Sequence, residues 1–257
     1  MRPLNYLCGT MASKDVQKLV PFEGSKLSKK EQIAHMFDDI AGKYDFMNHF
    51  MSLGIDVIWR KKALKMLRPL QPKKMLDVAT GTGDVAIMAQ RMLQPDHITG
   101  IDISEGMLEL GRIKVTKAGF DRYITLQQGD SETINFPDAT FDAITAAFGV
   151  RNFENLEKGL AEMCRVLKPG GKAVILEFSN PTKTPVKQLY NFYFRYITPW
   201  IGKYIARNKA AYSYLPSSVK AFPQGQAMCD ILHKVGFQAV TCKTLTFGIC
   251  SIYCATR

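Results

Sequence analysis

The stretch Met75-Leu76-Asp77-Val78-Ala79-Thr80-Gly81-Thr82-Gly83-Asp84 constrains the fold more than any other part of this 257-residue chain. A short apolar run, Met75 to Ala79, gives way to small residues alternating with Gly81 and Gly83. Val85-Ala86-Ile87-Met88-Ala89 then opens a helical pattern. That order predicts strand, tight turn, helix. Glycine has no Cβ and accepts positive φ, so backbone at such a turn can approach a ligand closely. The first N–H groups of the helix behind it lack intrahelical partners. Together these features place a nucleotide-type ligand at the first crossover of a doubly wound sheet. The glycines do not form the dinucleotide fingerprint, because Asp84-Val85-Ala86 follows Gly83, and no Gly-Lys-Ser/Thr closes the turn as in a P-loop. Two readings remain: a site for S-adenosylmethionine, which joins a nucleoside to an amino acid without phosphate, or a tight turn that holds no ligand.

Alternation of strand and helix continues downstream. Ile98-Thr99-Gly100-Ile101-Asp102 reads as a second strand ending in a carboxylate, with Ser104 as N-cap of a helix to about Ala118. Ile124 to Gln128 and Phe141 to Ala146 read as further strands. A helix from Leu156 to Leu167 stops at Lys168-Pro169-Gly170-Gly171, and Lys172 to Phe178 is a fifth strand. Repeated β-α-β units predict a mostly parallel sheet with helices on both faces. The pattern ends with a helix from Gln224 to Val235 and two strands, Phe237–Leu245 and Phe247–Ala255, that read as an antiparallel pair. The expectation is a seven-stranded, doubly wound α/β fold.

Around this core lie additions. Residues 1–27 show no periodicity and read as a flexible lead; 28–257 read as one domain. Within it, 28–70 form an N-terminal helical cap. That cap opens at Ser28-Lys29-Lys30-Glu31, a capping box followed by Ile33, Met36, Phe37 and Ile40 at helical spacing. A helix from Ile55 to Leu67 follows, with Ile58, Trp59, Lys62 and Met66 on one face. Residues 181–218 interrupt the α/β pattern with Tyr190, Phe192, Tyr193, Phe194, Tyr196, Trp200, Tyr204, Tyr212 and Tyr214 among basic residues, an insertion suited to cover a site.

Charge is distributed unevenly. Residues 1–74 hold 14 Lys/Arg against 7 Asp/Glu, residues 75–179 hold 10 against 15, and residues 180–257 hold 10 against 1. An acidic core with basic flanks suits a cationic ligand inside and an anionic surface outside. No run reaches the ~18–20 apolar residues of a membrane span, and the first residues lack a secretory h-region. The six cysteines form no C-x-x-C pair, so they read as buried thiols of a reducing compartment. His35, His49, His97 and His233 are isolated in sequence, and no metal is assigned.

Asp102 follows Gly81 by 21 residues, the distance at which a doubly wound domain sets an acid on a ribose diol. Asp130-Ser131, past the third strand, can meet an adenine edge. Asp77 and Asp84 flank the glycine turn. Such a wall would repel a diphosphate and suits a sulfonium with an α-amino group.

Here the chain resembles class I methyltransferases, in Leu76 to Asp84, Asp102, Phe136-Pro137-Asp138-Ala139-Thr140-Phe141-Asp142 and Arg165 to Gly171. More narrowly it is similar to the ubiquinone/menaquinone biosynthesis C-methyltransferases. Phe37 to Asn48, Phe148-Gly149-Val150-Arg151-Asn152 and Leu176-Glu177-Phe178-Ser179 carry that match, which runs from about residue 30 to the C-terminus. The resemblance implies S-adenosylmethionine held by Asp77, Gly81, Thr82, Gly83, Asp102, Asp130 and Ser131. It also implies methylation of a ring carbon of a reduced polyprenyl quinone precursor, with Arg151, Asn152, Tyr44 and Asn48 as catalytic residues. Arg151 would stabilise the oxyanion, Asn152 would orient a water, and Tyr44 and Asn48 would position the ring. A salt bridge holding the loop is the competing role for Arg151. Some relatives that handle both quinones have a serine where this chain has Ala147, which fits the menaquinone-type members and a demethylmenaquinol acceptor better.

A polyprenyl tail in the bilayer implies a cytoplasmic protein that is peripheral at the inner face of the membrane. Monomer and homodimer stay open. Competing readings are the ubiquinone-pathway methylation, another small-molecule methyltransferase, a nucleic-acid methyltransferase and a non-catalytic scaffold. The nucleic-acid reading is disfavoured because no N-P-P-Y motif is present.

Overall fold

The computed structural model describes residues 19–52, 54–192 and 209–257. Most of the expected flexible lead (1–18) and the middle of the aromatic insertion (193–208) lie outside the described residues. Two helices, α1 (Lys29–Met51) and α2 (Ile55–Lys65), precede the sheet. Then come β1 (Lys74–Val78), α3 (Asp84–Leu93), β2 (His97–Asp102), α4 (Glu105–Lys117), β3 (Ile124–Gln128), β4 (Phe141–Ala147), α5 (Leu156–Val166) and β5 (Leu167–Phe178). Helices α6 (Val186–Phe192), α7 (Lys209–Ala221) and α8 (Gln226–Lys234) separate β5 from β6 (Gln238–Leu245) and β7 (Cys250–Thr256).

One seven-stranded sheet has the order β3-β2-β1-β4-β5-β7-β6. β7 runs antiparallel to both β5 and β6, and the remaining pairings are parallel. Strands covered on both faces need near-continuous apolar runs, and β1 and β4 supply them: Met75, Leu76, Val78, Ala143 and Ile144 are fully buried. From β1 the chain winds one way to β2 and β3, and from β4 the other way to β5. Winding therefore reverses between β1 and β4, which opens a crevice at their C-terminal ends.

The additions are fixed by local chemistry that the sequence announced. At Ser28 the backbone N–H donates to Glu31 Oε2 at 2.7 Å, and the Glu31 N–H donates to Ser28 Oγ at 3.3 Å, a reciprocal cap. Ile33 and Met36 are buried as expected. Three polar side chains clamp α1 over the strand ends. Lys29 Nζ donates to the Phe153 carbonyl at 3.1 Å, Lys30 Nζ reaches Asp130 at 2.6 Å, and Asp38 accepts from Ser104 Oγ at 2.6 Å and from the Gly106 N–H at 3.0 Å.

Three expectations need correction. The buried face of α2 is Asp56, Trp59, Arg60, Ala63 and Leu64, whereas Ile58 and Lys62 face solvent. An ion pair from Arg60 to Asp84 at 2.8 Å turns the helix that way. The fifth strand starts at Leu167, not Lys172: Leu167 pairs with Phe141, the register breaks, and pairing resumes at Lys172 with Ala143. Residues 168–171 bulge out between these pairings. There Gly171 lies against the Asp142 carbonyl, where a Cβ would sit 2.8 Å from the oxygen. The last strand starts at Cys250, because Thr246 and Phe247 take left-handed backbone in the connection. Cys164, Cys229, Cys250 and Cys254 are buried thiols, but Cys242 on edge strand β6 is exposed.

Candidate active site

The glycine turn occupies the crevice. Ala79, Gly81 and Gly83 all have positive φ, so the chain leaves β1 in a tight reversal before α3 begins at Asp84. The turn is braced from below. Asp77, 1 % exposed, accepts hydrogen bonds from Thr80 Oγ1 and Thr145 Oγ1, each at 2.6 Å. Burial pushes its carboxyl up to about 6, against the pull of the two hydroxyls. Where β4 ends, Gly149 abuts the turn: a Cβ there would meet Ala79 Cβ at 2.4 Å.

A cavity of about 650 Å³, counting its solvent-open mouth, lies at these strand ends. Gly81, Asp102, Asp130, Ser131, Ala147, Phe148, Gly149 and Asn152 line it, and Ile33 and Phe37 of α1 roof it. Asp102 accepts the Gly81 N–H at 2.8 Å on one oxygen and the Ser104 N–H at 3.0 Å on the other. Burial raises its pKa, opposed by those N–H groups. Each oxygen keeps acceptor capacity for one more donor. Asp130 is held by Lys30 and accepts the Glu132 N–H at 2.9 Å.

A second cavity of about 350 Å³ shares Ala79, Gly81 and Ala147 with the first and is lined further by Arg60, Asp77, Thr80, Thr82 and Asp84. Thr82 accepts from Lys114 Nζ at 3.0 Å, and Asp84 is bridged by both Arg60 and Lys114. The wall at this turn is therefore less negative than the count of acids suggests. Arg60 is 7 % exposed, and its Nε finds no hydrogen-bond partner among the described residues. Reading the sequence missed Arg60. Its i,i+4 spacing from Asp56 was the available signal, but a charged pair on a helix normally marks solvent.

The turn after β4, Val150–Asn152, carries the other predicted residues. Asn152 lines the larger cavity with Oδ1 buried and without a partner among the described residues. Arg151 points elsewhere. Its Nη1 donates to the Phe148 carbonyl and to Glu177 Oε1, the latter at 2.8 Å, and its guanidinium lies 5.6 Å from the Phe178 ring centre. Glu177 is fully buried and also accepts the Phe178 N–H at 2.8 Å. The salt bridge weighed as an alternative for Arg151 is thus present, yet Arg151 Nε remains buried and unpaired among the described residues. Phe148, at φ +61°, stacks on Phe178 at 4.5 Å and faces Trp59 at 6.3 Å. Tyr44 and Asn48 fall in the last turns of α1, where the side chains lie outside the described residues.

These groups fit an amino-acid-bearing nucleoside. Asp102 offers two acceptor oxygens to a diol, Gly81 leaves open space above its Cα, and the unpaired Arg60 Nε–H suits a carboxylate. The topology and this site define a class I S-adenosylmethionine-dependent methyltransferase. The sheet aligns with the crystal structure of an S-adenosylmethionine-dependent methyltransferase, possible histamine N-methyltransferase, from Thermotoga maritima. That alignment has TM-score 0.59 and 19% identity, covering 86% of this chain and 98% of that one. The model of the ubiE/COQ5 methyltransferase family matches residues 25–257, and the chain belongs to that family. It is 49% identical to the demethylmenaquinone methyltransferase of Bacteroides fragilis over 94% of this chain and 98% of that protein. It is 47% identical to the ubiquinone/menaquinone biosynthesis C-methyltransferase UbiE of Geobacter sulfurreducens over 88% of each.

Proposed function

We propose that this protein methylates a ring carbon of demethylmenaquinol, a reduced polyprenyl naphthoquinone precursor. The observation that carries the substrate is the near full-length similarity to the Bacteroides fragilis enzyme of that name. S-adenosylmethionine, when bound, supplies an electrophilic methyl group on a cationic sulfur. Asp102 would hold the ribose diol, Asp130 and Ser131 the adenine edge, and Gly81 with its neighbours the backbone contacts. Arg60 would hold the α-carboxylate, while Asp77 and Thr82 would brace the loop from inside.

The acceptor carbon becomes nucleophilic when the neighbouring ring hydroxyl loses its proton. A phenol ionises near pH 10, so the site must favour the oxyanion. Arg151 Nε, without a partner among the described residues, would donate to that oxygen, with the guanidinium held by its pairing with Glu177. Asn152 would accept from a hydroxyl or a water, and Tyr44 and Asn48 would position the ring. Phe148, Phe178 and Trp59 supply an apolar wall that excludes water. After the carbon–carbon bond forms, the ring hydrogen leaves as a proton and aromaticity returns.

Incubation with labelled S-adenosylmethionine and reduced demethylmenaquinone, then mass spectrometry, should give the methylated naphthoquinol. Methylation of a benzoquinol precursor instead would redirect the assignment.

A membrane-surface encounter follows from the substrate tail. No described helix is long and apolar enough to cross a membrane. Leu189, Phe192 and Phe247 are exposed, Phe247 at 80 %, within a C-terminal third rich in Lys and Arg. Flotation with anionic vesicles should weaken a few-fold in Phe247→Ser. Equal recovery on neutral vesicles would remove the electrostatic part.

A further inference from the structure

Tyr214 lies in α7, on the return of the insertion towards the core. It is 5 % exposed and packs with Ile33 and Met36 of α1. Its helix packs on the Val150–Asn152 turn. Its hydroxyl is buried and has no hydrogen-bond partner among the described residues. Buried hydroxyls are nearly always paired, so an unpaired one needs a reason. Arg151 Nε and Asn152 Oδ1, on the turn against which α7 packs, are unpaired in the same way. Two segments far apart in sequence thus pack together with three buried polar atoms that no described residue satisfies. A ligand with adjacent oxygens would satisfy them.

We propose that Tyr214 is a further substrate-contacting residue, donating its O–H to the oxygen of a phenolic acceptor beside Arg151. This rests on the quinol reading above. The hydroxyl acts as donor and not as base. Burial pushes its pKa up to about 12, the nearby Arg151 guanidinium pulls it down, and the Glu177 carboxylate pushes it up, so the proton stays in place near neutrality. Role and location agree: Arg151 and Tyr214 would share the oxyanion that forms as the acceptor carbon attacks, and Asn152 would take the remaining hydrogen-bonding position. The same residue ties the insertion to the roof helix α1, so an occupied site would draw α7, α1 and the 150–152 turn together.

The test is Tyr214→Phe, which removes one oxygen and keeps the ring packed on Ile33 and Met36. Four measurements are made: Tm, S-adenosylhomocysteine affinity, kcat with reduced demethylmenaquinone, and anaerobic binding of 1,4-naphthalenediol against naphthalene with S-adenosylhomocysteine present. Because the hydroxyl has no partner among the described residues, the variant should melt at the wild-type temperature or slightly above it. S-adenosylhomocysteine affinity should hold within twofold. kcat should fall about 100-fold, the lower end for loss of one oxyanion donor, and diol affinity about tenfold with naphthalene unchanged. A variant that melts several degrees lower, or that keeps both kcat and diol affinity within twofold, overturns the Tyr214 assignment alone. A wild-type protein that methylates no reduced quinone overturns the quinol reading and this assignment with it.

Discussion

Asp77, Asp84 and Asp102, on the glycine-loop side of the cavity, hold their oxygens against Thr80 and Thr145, against Arg60 and Lys114, and against the N–H groups of Gly81 and Ser104. Arg151 and Asn152, on the turn after β4, each keep a buried polar atom without a partner among the described residues. The first side is built: most of its groups are oriented before anything binds. The second is unfinished among the described residues, because burying an unpaired polar atom costs about 1–3 kcal/mol that a bound ligand would recover. Arg60 is the exception on the built side, and its unpaired Nε marks where that half still lacks a partner. Pre-oriented groups suit a ligand used in every turnover. Unpaired groups suit an acceptor whose charge develops during reaction, since a donor without a prior partner is strongest when the anion forms.

The contrast can be broken at its best-satisfied point first. Asp102→Ala removes a carboxylate that aligns Gly81 and Ser104 and would bind the diol. S-adenosylhomocysteine affinity measured by calorimetry should fall at least ~100-fold, since each hydrogen bond to a charged group is worth about 1.5–3 kcal/mol. A loss under tenfold would mean the diol lies elsewhere. On the unfinished side, Arg151→Lys keeps the charge facing Glu177 but loses the Nε–H. kcat should drop ~100-fold, the lower end for one oxyanion donor, with S-adenosylhomocysteine affinity unchanged, and activity within twofold of wild type would reduce Arg151 to a brace for the loop. Arg60→Gln sharpens the exception. S-adenosylhomocysteine affinity should fall about tenfold, near the ~1.4 kcal/mol of a partly exchanged charge contact, while 5′-methylthioadenosine, which lacks the carboxylate, should bind as before. Equal loss for both ligands would place Arg60 in the scaffold.

The last expected effect is on stability. Burial raises the Asp77 carboxyl to about 6, above the ~3.9 of an exposed aspartate. The folded chain therefore keeps a proton that the unfolded chain releases between about pH 4 and 6. Asp77 contributes most below pH 4, and that contribution is lost as pH rises through 6. Asp84, Asp142 and Glu162 have lowered pKa values and act in the opposite direction, so the informative quantity is wild type minus Asp77→Asn. That difference in unfolding free energy should decline from pH 4 to 6 and level off above it. A flat difference would show that the carboxylate is ionised throughout.

Much of the built side was legible in the chain because its determinants are local. The alternation of apolar runs and helical patterns gave the strands, Gly81 and Gly83 gave the turn, and the 21-residue step from Gly81 to Asp102 spans one βαβ unit whose length is set by a single crossover. Ser28 and Glu31 form their cap within four residues, so that helix start could be read directly. Resemblance supplied Arg151 and Asn152, but not that Arg151 would face Glu177 while Asn152 faces the cavity. Neighbours on a tight turn diverge by geometry that spacing does not encode. The tertiary structure alone decided the inward face of α2, because Arg60 turns in to meet Asp84, 24 residues away, and solvent would otherwise claim a charged pair. It alone brought Tyr214 from α7 onto the 150–152 turn. The sequence by itself determined which elements form and where a nucleoside would lie, since hydrophobic period and turn chemistry are properties of neighbours along the chain. The partners of Asp84, Glu177 and Tyr214 had to await the fold, since whether a buried polar atom is satisfied depends on groups that meet only once the core has closed.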